Sequence, residues 1–257
     1  MAQIILLGTG AALSDAAREN MYLAVQGESS SILIDCAGSP IQRLLKAKIE
    51  FDRIDHLILT HAHPDHLYGV PIFLMDLWLA GRKKRLQIHG LPQTLDAARG
   101  LLDAFNWRAW QGIGFYPVEF HPLTLLDNEI ALILDTNEFS ISAAKTAHVI
   151  PSIALRIVSK KSARAAVYSS DTEKCDAVVE LAFGAHLLLH EATSVERAGI
   201  GHSSARQAGS QAQHAQVKTL VLVHLPPQTE AKKLSAAAKK SFRGKVLVGT
   251  DFMKLNF

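Results

Sequence analysis

The chain has 257 residues, 48% of them hydrophobic and 20% charged, with a formal net charge of +3. It can bury a large core, as one domain or as two fused halves, and so mild a basicity does not by itself mark a nucleic-acid binder. Its two cysteines, Cys36 and Cys175, lie far apart and form no CxxC pair; that argues against a disulfide scaffold and for small buried thiols in a reducing compartment.

The opening residues 1–7 are apolar but short and lack a positive leader. They read as a first strand rather than a signal peptide. No apolar stretch reaches the length needed to cross a bilayer, so a cytoplasmic location is expected. Residues 4–7, 22–26 and 31–35 read as a small meander of strands. Gly8-Thr9-Gly10 after the first strand resembles a dinucleotide fingerprint, but the third glycine is missing and a polar stretch follows. Nucleotide cofactor binding there is not expected. Residues 40–48 have helical periodicity, with Ile41, Leu44, Leu45 and Ile49 on one face.

Residues 54–60 form a buried strand that runs into Thr60-His61-Ala62-His63-Pro64-Asp65-His66. Imidazole and carboxylate suit zinc and its first-row neighbours. A core strand that ends in water has no structural need for three histidines. Side chains at i and i+2 of a strand share a side, so His61 and His63 can reach one ion together. Pro64 turns the chain, and Asp65 and His66 follow at the start of a helix, where they could serve a second ion. Two ions side by side are the arrangement used for in-line displacement at phosphorus.

Residues 67–80 read as one long apolar helix, and Arg82-Lys83-Lys84-Arg85 as a solvated basic loop. A strand over 86–89 and a helix over 94–105 follow. Trp107, Trp110, Phe115 and Tyr116 read as core or dimer contact in preference to a base-stacking platform. In the second half, 129–135 and 138–144 read as a hairpin, and 152–158 and 165–169 as strands around the turn Lys160-Lys161-Ser162. Helices are expected over 174–183, 203–216 and 230–240. Strands are expected over 186–190 and 220–224, with a final one over 245–249. Such alternation fits a doubly wound sheet or two α/β halves packed sheet against sheet.

His-x-His-x-Asp-His resembles the signature of the metallo-β-lactamase-fold hydrolases. Further positions match it in order: His148 in Lys145-Thr146-Ala147-His148, Asp171 in Tyr168-Ser169-Ser170-Asp171-Thr172, and His224 in Leu222-Val223-His224-Leu225. The resemblance implies an α/β four-layer αββα sandwich: a single domain over 1–257 built from halves of about 1–120 and 121–257. It implies that His61, His63 and His148 hold one zinc, that Asp65, His66 and His224 hold the other, and that Asp171 bridges them. Manganese is the alternative metal. Asp35 in Leu33-Ile34-Asp35-Cys36 is expected to orient the metal-binding histidines.

Two motifs narrow the family. His190-Glu191-Ala192-Thr193 and Gly201-His202-Ser203-Ser204 resemble ribonuclease Z, which trims the 3′ end of precursor transfer RNA. The resemblance implies that Glu191 and His202 deliver a proton to the leaving oxygen, that Asp65 orients the attacking water, and that the enzyme is a homodimer. Ribonuclease Z enzymes often carry a flexible arm between the third histidine and the bridging aspartate. Here the segment from His148 to Asp171 has room only for two strands and a turn. His224-Leu225-Pro226 also resembles smaller relatives that act on cyclic nucleotides. The expected function is therefore a metal-dependent phosphodiester hydrolase like ribonuclease Z. The alternatives are a cyclic-nucleotide or other small-diester phosphodiesterase, or a sulfate-ester hydrolase on the same fold. The expected substrate is RNA or a small cyclic diester, with no membrane partner.

Overall fold

A computed structural model describes residues 2–257. The first sheet takes its strands mostly from the first half: β1 (Gln3–Gly8), β2 (Tyr22–Gln26), β3 (Ser31–Ile34), β4 (Ile54–Ile58), β5 (Leu86–Gly90) and β6 (Val118–Pro122). The second contains β7 (Ala131–Asp135), β8 (Phe139–Lys145), β9 (Ile153–Ser159), β10 (Ala165–Tyr168), β11 (Leu187–Glu191), β12 (Thr219–Val223) and β13 (Lys245–Val248). A last strand, β14 (Lys254–Asn256), returns to pair with β1. Strand order is β14-β1-β2-β3-β4-β5-β6 in one sheet and β13-β12-β11-β10-β9-β8-β7 in the other.

Period-2 alternation builds the layers. Ile4 and Leu6 of β1 join the core between the sheets, while Ile5 and Leu7 join a second core under helices α1 (Pro40–Ala47), α3 (Val70–Leu79) and α4 (Pro92–Ala104). Likewise Val221 and Val223 of β12 face the first sheet. Leu220 and Leu222 face α6 (Asp176–Ala182), α7 (Ala205–His214) and α8 (Ala231–Lys239). Two short helices, α2 (Pro64–Leu67) and α5 (Arg108–Gln111), complete the set among the described residues. The result is an αββα sandwich. Each fully buried leucine in such a layer contributes about 1.5–3 kcal/mol.

Several sequence expectations are corrected. The helix over 67–80 is two helices, α2 and α3, broken at Tyr68–Gly69: the Gly69 N–H donates to the Cys36 carbonyl at 2.9 Å, and Pro71 suits the first turn of the new helix. Leu45 does not share the buried face of α1; it is 58% exposed while Leu44 is buried. Arg82 is not solvated. It is buried and donates to the carbonyls of Lys84, Arg85 and Asp52 and to the Asp55 carboxylate. Cys36 is buried, but Cys175 is only half-buried, and both are free thiols. The strand over 245–249 is not the last, and β6 and α5 lie where the sequence reading places no element. Trp107 and Tyr116 are buried in the core under α3 and α4, with the Tyr116 hydroxyl donating to the Leu74 carbonyl at 3.2 Å.

The Gly8-Thr9-Gly10 segment starts no helix. A Cβ on Gly8 would lie 1.9 Å from the Asn20 carbonyl, so glycine is needed for the close approach of the next chain segment. Thr9 donates to Asp251 at 2.7 Å.

Candidate metal centre

Loops leaving the carboxyl ends of parallel strands in both sheets meet at one place, the usual ligand position of α/β sheets. From the first sheet come Asp35 after β3 and Thr60–His66 after β4. From the second come Asp171 after β10, Glu191 at the end of β11 and His224 after β12, while His148 lies in the β8–β9 connection. The two sides are tied directly by the Ile153 N–H donating to the Thr60 carbonyl. Asp35, Ser170 and His224 hold left-handed backbone, at φ 59°, 51° and 52°. For residues other than glycine this is strained, and such strain clusters at functional sites.

Two donor sets form. In the first, His63 Nδ1 lies 3.2 Å from His61 Nε2 and 3.1 Å from His148 Nε2, and Asp171 Oδ2 lies 3.7 Å from His61 Nε2. In the second, Asp65 Oδ2 lies 3.4 Å from His66 Nε2 and 3.3 Å from His224 Nε2. Asp171 stands between the sets, with Oδ1 3.5 Å from His66 Nε2 and Oδ2 3.5 Å from His224 Nε2. The facing atoms of each set lie within 4.8 Å of one another. His61 and His63 converge from the irregular chain beyond β4, not from the strand itself.

These residues fit divalent metal. His66 Nε2 and Asp171 Oδ1 are buried with no hydrogen-bond partner, although such atoms are normally satisfied. Three of the nitrogens pointing away are anchored: His66 Nδ1 to Asp35 at 2.8 Å, His148 Nδ1 to the Gly201 carbonyl at 2.6 Å, and His61 Nδ1 to Thr60 Oγ1 at 3.0 Å; His224 Nδ1 is buried without a partner. Anchoring of this kind fixes the tautomer of metal-binding imidazoles. Asp35 also accepts from the Thr60 N–H at 2.8 Å. His and Asp donors of this number match zinc or manganese chemistry.

Charge differs between the two sets: burial works to lower His66 and His224, but Asp171 and Asp35 raise the first and Asp171 and Asp65 raise the second. Burial lowers His61, His63 and His148, which keeps them neutral and able to ligate. Burial alone would raise Asp65 and Asp171. Hydrogen bonds from His224 and His66 outweigh this at Asp65, and the charges of His224 and His66 do so at Asp171, so both carboxylates stay ionised.

Beside the donor sets, His202 Nδ1 lies 3.0 Å from Glu191 Oε1. Glu191 is fully buried and also accepts from the Thr172 N–H at 2.7 Å. The hydrogen bond that His202 donates to Glu191 raises the pKa of His202, against its partial burial. His202 also lies near Asp171 and His224 in a geometry that could ligate. Its Nδ1 is engaged by Glu191, and its side chain is 27% exposed. Ser204 and Gln207 form a capping box that fixes the start of α7 just beyond it.

A cavity of about 480 Å³ opens beside His148, walled by Leu91, Leu123 and Leu125, with Gln93, Thr124 and Lys145 as polar groups. Sequence reading did not find this cavity, because its walls come from three separate connections. It also passed over Glu173, whose carboxylate accepts from the Gly201 N–H at 2.8 Å. The available signal was an acid two positions after Asp171.

The family model described as Anti-Pycsar protein Apyc1 matches residues 2–246. The chain belongs to this family. The Apyc1-family chain is also 28% identical over 281 residues to a ribonuclease Z of Mycobacterium bovis, covering 99% of this chain and 98% of that one. Among solved structures, human tRNase Z, short form, superposes with TM-score 0.77 at 27% identity, over 99% of this chain and 98% of that one. The metallo-β-lactamase fold protein YhfI of Bacillus subtilis superposes with TM-score 0.79 at 22% identity, over the same shares. This Apyc1-family chain is thus a ribonuclease Z-like hydrolase with the metallo-β-lactamase fold. Among the described residues no helix is long and apolar enough to cross a membrane.

Proposed function

We propose that this ribonuclease Z-like phosphodiester hydrolase is a two-zinc enzyme whose substrate is a small or cyclic phosphodiester. The cavity beside His148 carries the reading: its volume, about 480 Å³, falls in the range of small-molecule sites, roughly 300–1,000 Å³. The phosphate would lie at the donor sets and the organic group in the cavity. The connection from His148 to Asp171 supports the same choice. It consists of β9, β10 and their turn, and leaves no arm to grip a large RNA. Basic side chains are also spent locally: Lys160 pairs with Asp135 at 2.8 Å, Lys145 with Asp127 at 2.8 Å, and Lys161 with Glu28. RNA binding draws much of its affinity from free Lys and Arg contacts to phosphate.

His61, His63, His148 and Asp171 would hold one ion, and Asp65, His66, His224 and Asp171 the other, with manganese as the alternative to zinc. Bound there, divalent ions offset the phosphate charge and make water more acidic. Asp65 orients the attacking water. As the P–O bond to the leaving group breaks, His202 gives its proton to the departing alkoxide oxygen, and Glu191 holds the imidazolium in place. General acid help of this kind is worth about a hundredfold to ten-thousandfold. A homodimer comes with this reading from the family resemblance, and a cytoplasmic location is part of the same proposal.

The ribonuclease Z relatives favour a second reading, cleavage of precursor transfer RNA. The test loads the protein with zinc or manganese and offers it 2′,3′- and 3′,5′-cyclic nucleotides, a precursor transfer RNA and a chromogenic sulfate ester. Turnover of the cyclic diesters alone is expected. Cleavage at the RNA trailer would replace the first reading with the second, and sulfate-ester turnover alone would overturn both.

A further inference from the structure

We propose that Glu173 is a positioning residue that latches the Gly201 peptide and thereby holds His148 and His202 at their stations. Three hydrogen bonds make the latch. The Glu173 N–H donates to the Ala147 carbonyl at 2.7 Å, next to His148. The Glu173 carboxylate accepts from the Gly201 N–H at 2.8 Å. The Gly201 carbonyl in turn accepts from His148 Nδ1 at 2.6 Å. The N–H and the carbonyl of Gly201, which belong to the two peptide units on either side of it, are therefore both engaged: Glu173 accepts from the nitrogen and the His148 ring donates to the oxygen.

The backbone at Gly201 leaves little alternative. It sits at φ +79°, and a Cβ there would lie 2.8 Å from Val149 Cγ1 and 3.0 Å from His148 Nδ1. Glycine allows the loop to pass close enough for its carbonyl to reach the ring. With Nδ1 donating to that carbonyl, His148 presents Nε2 to the first donor set as a lone pair. The next residue is His202, whose Nδ1 is fixed by Glu191 at 3.0 Å. One carboxylate thus sets both a ligand ring and the backbone that carries the proton donor. Glu173 itself is exposed, so replacing it opens no cavity in the core and the chain should still fold, although the N–H of the buried Gly201 loses its acceptor.

The inference rests on the reading of His148 as a metal ligand, and its test uses no turnover. Zinc affinity is measured by competition with a chromogenic chelator for the wild type, Glu173→Ala, Glu173→Gln and the neighbouring Lys174→Ala. Imidazole ¹⁵N spectra of the metal-free proteins report the His148 tautomer. Glu173→Ala is expected to weaken zinc by about tenfold, the low end for loss of an orienting partner, and to mix the His148 tautomers. Glu173→Gln keeps an acceptor oxygen and should restore both properties to within about threefold, while Lys174→Ala should match the wild type. Unchanged affinity and tautomer in Glu173→Ala would overturn the latch. Equal loss in Glu173→Ala and Glu173→Gln would also overturn it, because charge rather than the hydrogen bond would then matter. A protein that passes these tests yet cleaves no phosphodiester would sink the proposed function and leave the latch standing.

Discussion

The first sheet carries two groups of histidines, and they differ in what surrounds the rings. At the end of β4, His61, His63 and His66 meet Asp65 and Asp171, and the outward nitrogens of His61 and His66 are anchored by Thr60 and Asp35. Across β4, β5 and β6, His56, His89 and His121 stand side by side. Their neighbours Leu57, Ile88 and Phe120 face the helices, so these three face the other sheet. His56 Nδ1 lies 3.1 Å from His89 Nε2, and His89 stacks on His121 with centroids 5.0 Å apart. Among the described residues no carboxylate or carbonyl anchors either ring of the His56–His89 pair. Imidazole density alone does not make a metal site. Interleaved carboxylates and anchored far nitrogens do, because they neutralise the ion and fix the tautomers.

The sharpest way to break that comparison is to remove the carboxylate shared by the two sets. Asp171→Asn keeps the shape but loses the charge that faces His61, His66 and His224. Elemental analysis should show loss of bound metal, and diester turnover should fall by about a thousandfold or more, since metal stabilisation supplies several kcal/mol of the barrier reduction. Full metal content in this variant would mean that Asp171 is no ligand. Next in size is the proton-delivery pair. His202→Ala and Glu191→Gln should each cut turnover by about a hundredfold to ten-thousandfold with metal content intact. Metal loss in His202→Ala would instead assign His202 as a ligand, as its proximity to Asp171 and His224 allows.

The contrast between the two groups also explains what could be read from the sequence. His61, His63, Asp65 and His66 were legible because they crowd one loop after an apolar strand, and Pro64 marks the turn. His148, Asp171 and His224 were legible only through family order: each stands alone on its loop, and no local spacing brings them together. The αββα layers were legible only through the family resemblance: an unbroken apolar run such as Ile4-Ile5-Leu6-Leu7 marks a strand buried on both faces, which a doubly wound sheet would also need. The return of β14 to the first sheet was not legible. Three residues carry too little pattern, and pairing with β1 is a long-range choice. The burial of Arg82 was hidden for a similar reason. Four consecutive basic residues look solvated until the fold supplies the Asp55 carboxylate and the carbonyls that bind one of them.

The pair His56 and His89 should show itself in acid stability instead of metal content. Burial, with help from His56 and His121, pushes His89 down to about 4 from its ordinary 6.5. Burial lowers His56 too, although Asp55 opposes it. The unfolded chain therefore binds protons that the folded chain refuses. This contribution to stability is fully present above pH 6.5 and is lost as pH falls from 6.5 toward 4, below which it levels off. For His89 the loss is of the order of 2–3 kcal/mol after allowance for solvent screening. Denaturant titrations between pH 7 and pH 4 should show a flatter fall for His89→Asn than for the wild type. Parallel curves would mean that the pair does not carry the acid limb.

The smallest effect should come from His121, and it tests the comparison from the other side. Its ring stacks on His89 and lies 3.6 Å from the Glu119 carboxylate, but it is 43% exposed and shares no hydrogen bond with His56. If a third histidine were enough to build a metal site, His121→Ala would remove one equivalent of bound zinc. Among the described residues, the donor groups that close within 4.8 Å all lie at the ends of β4, β8, β10 and β12 or beside His202, and none includes His121. His121→Ala should leave zinc stoichiometry unchanged and alter diester turnover by less than about twofold, as expected of a side chain outside the donor sets, even though its Nε2 is buried without a hydrogen-bond partner. Loss of a zinc equivalent would make the strand-borne histidines a second metal site, and the carboxylates would no longer be what separates the two groups.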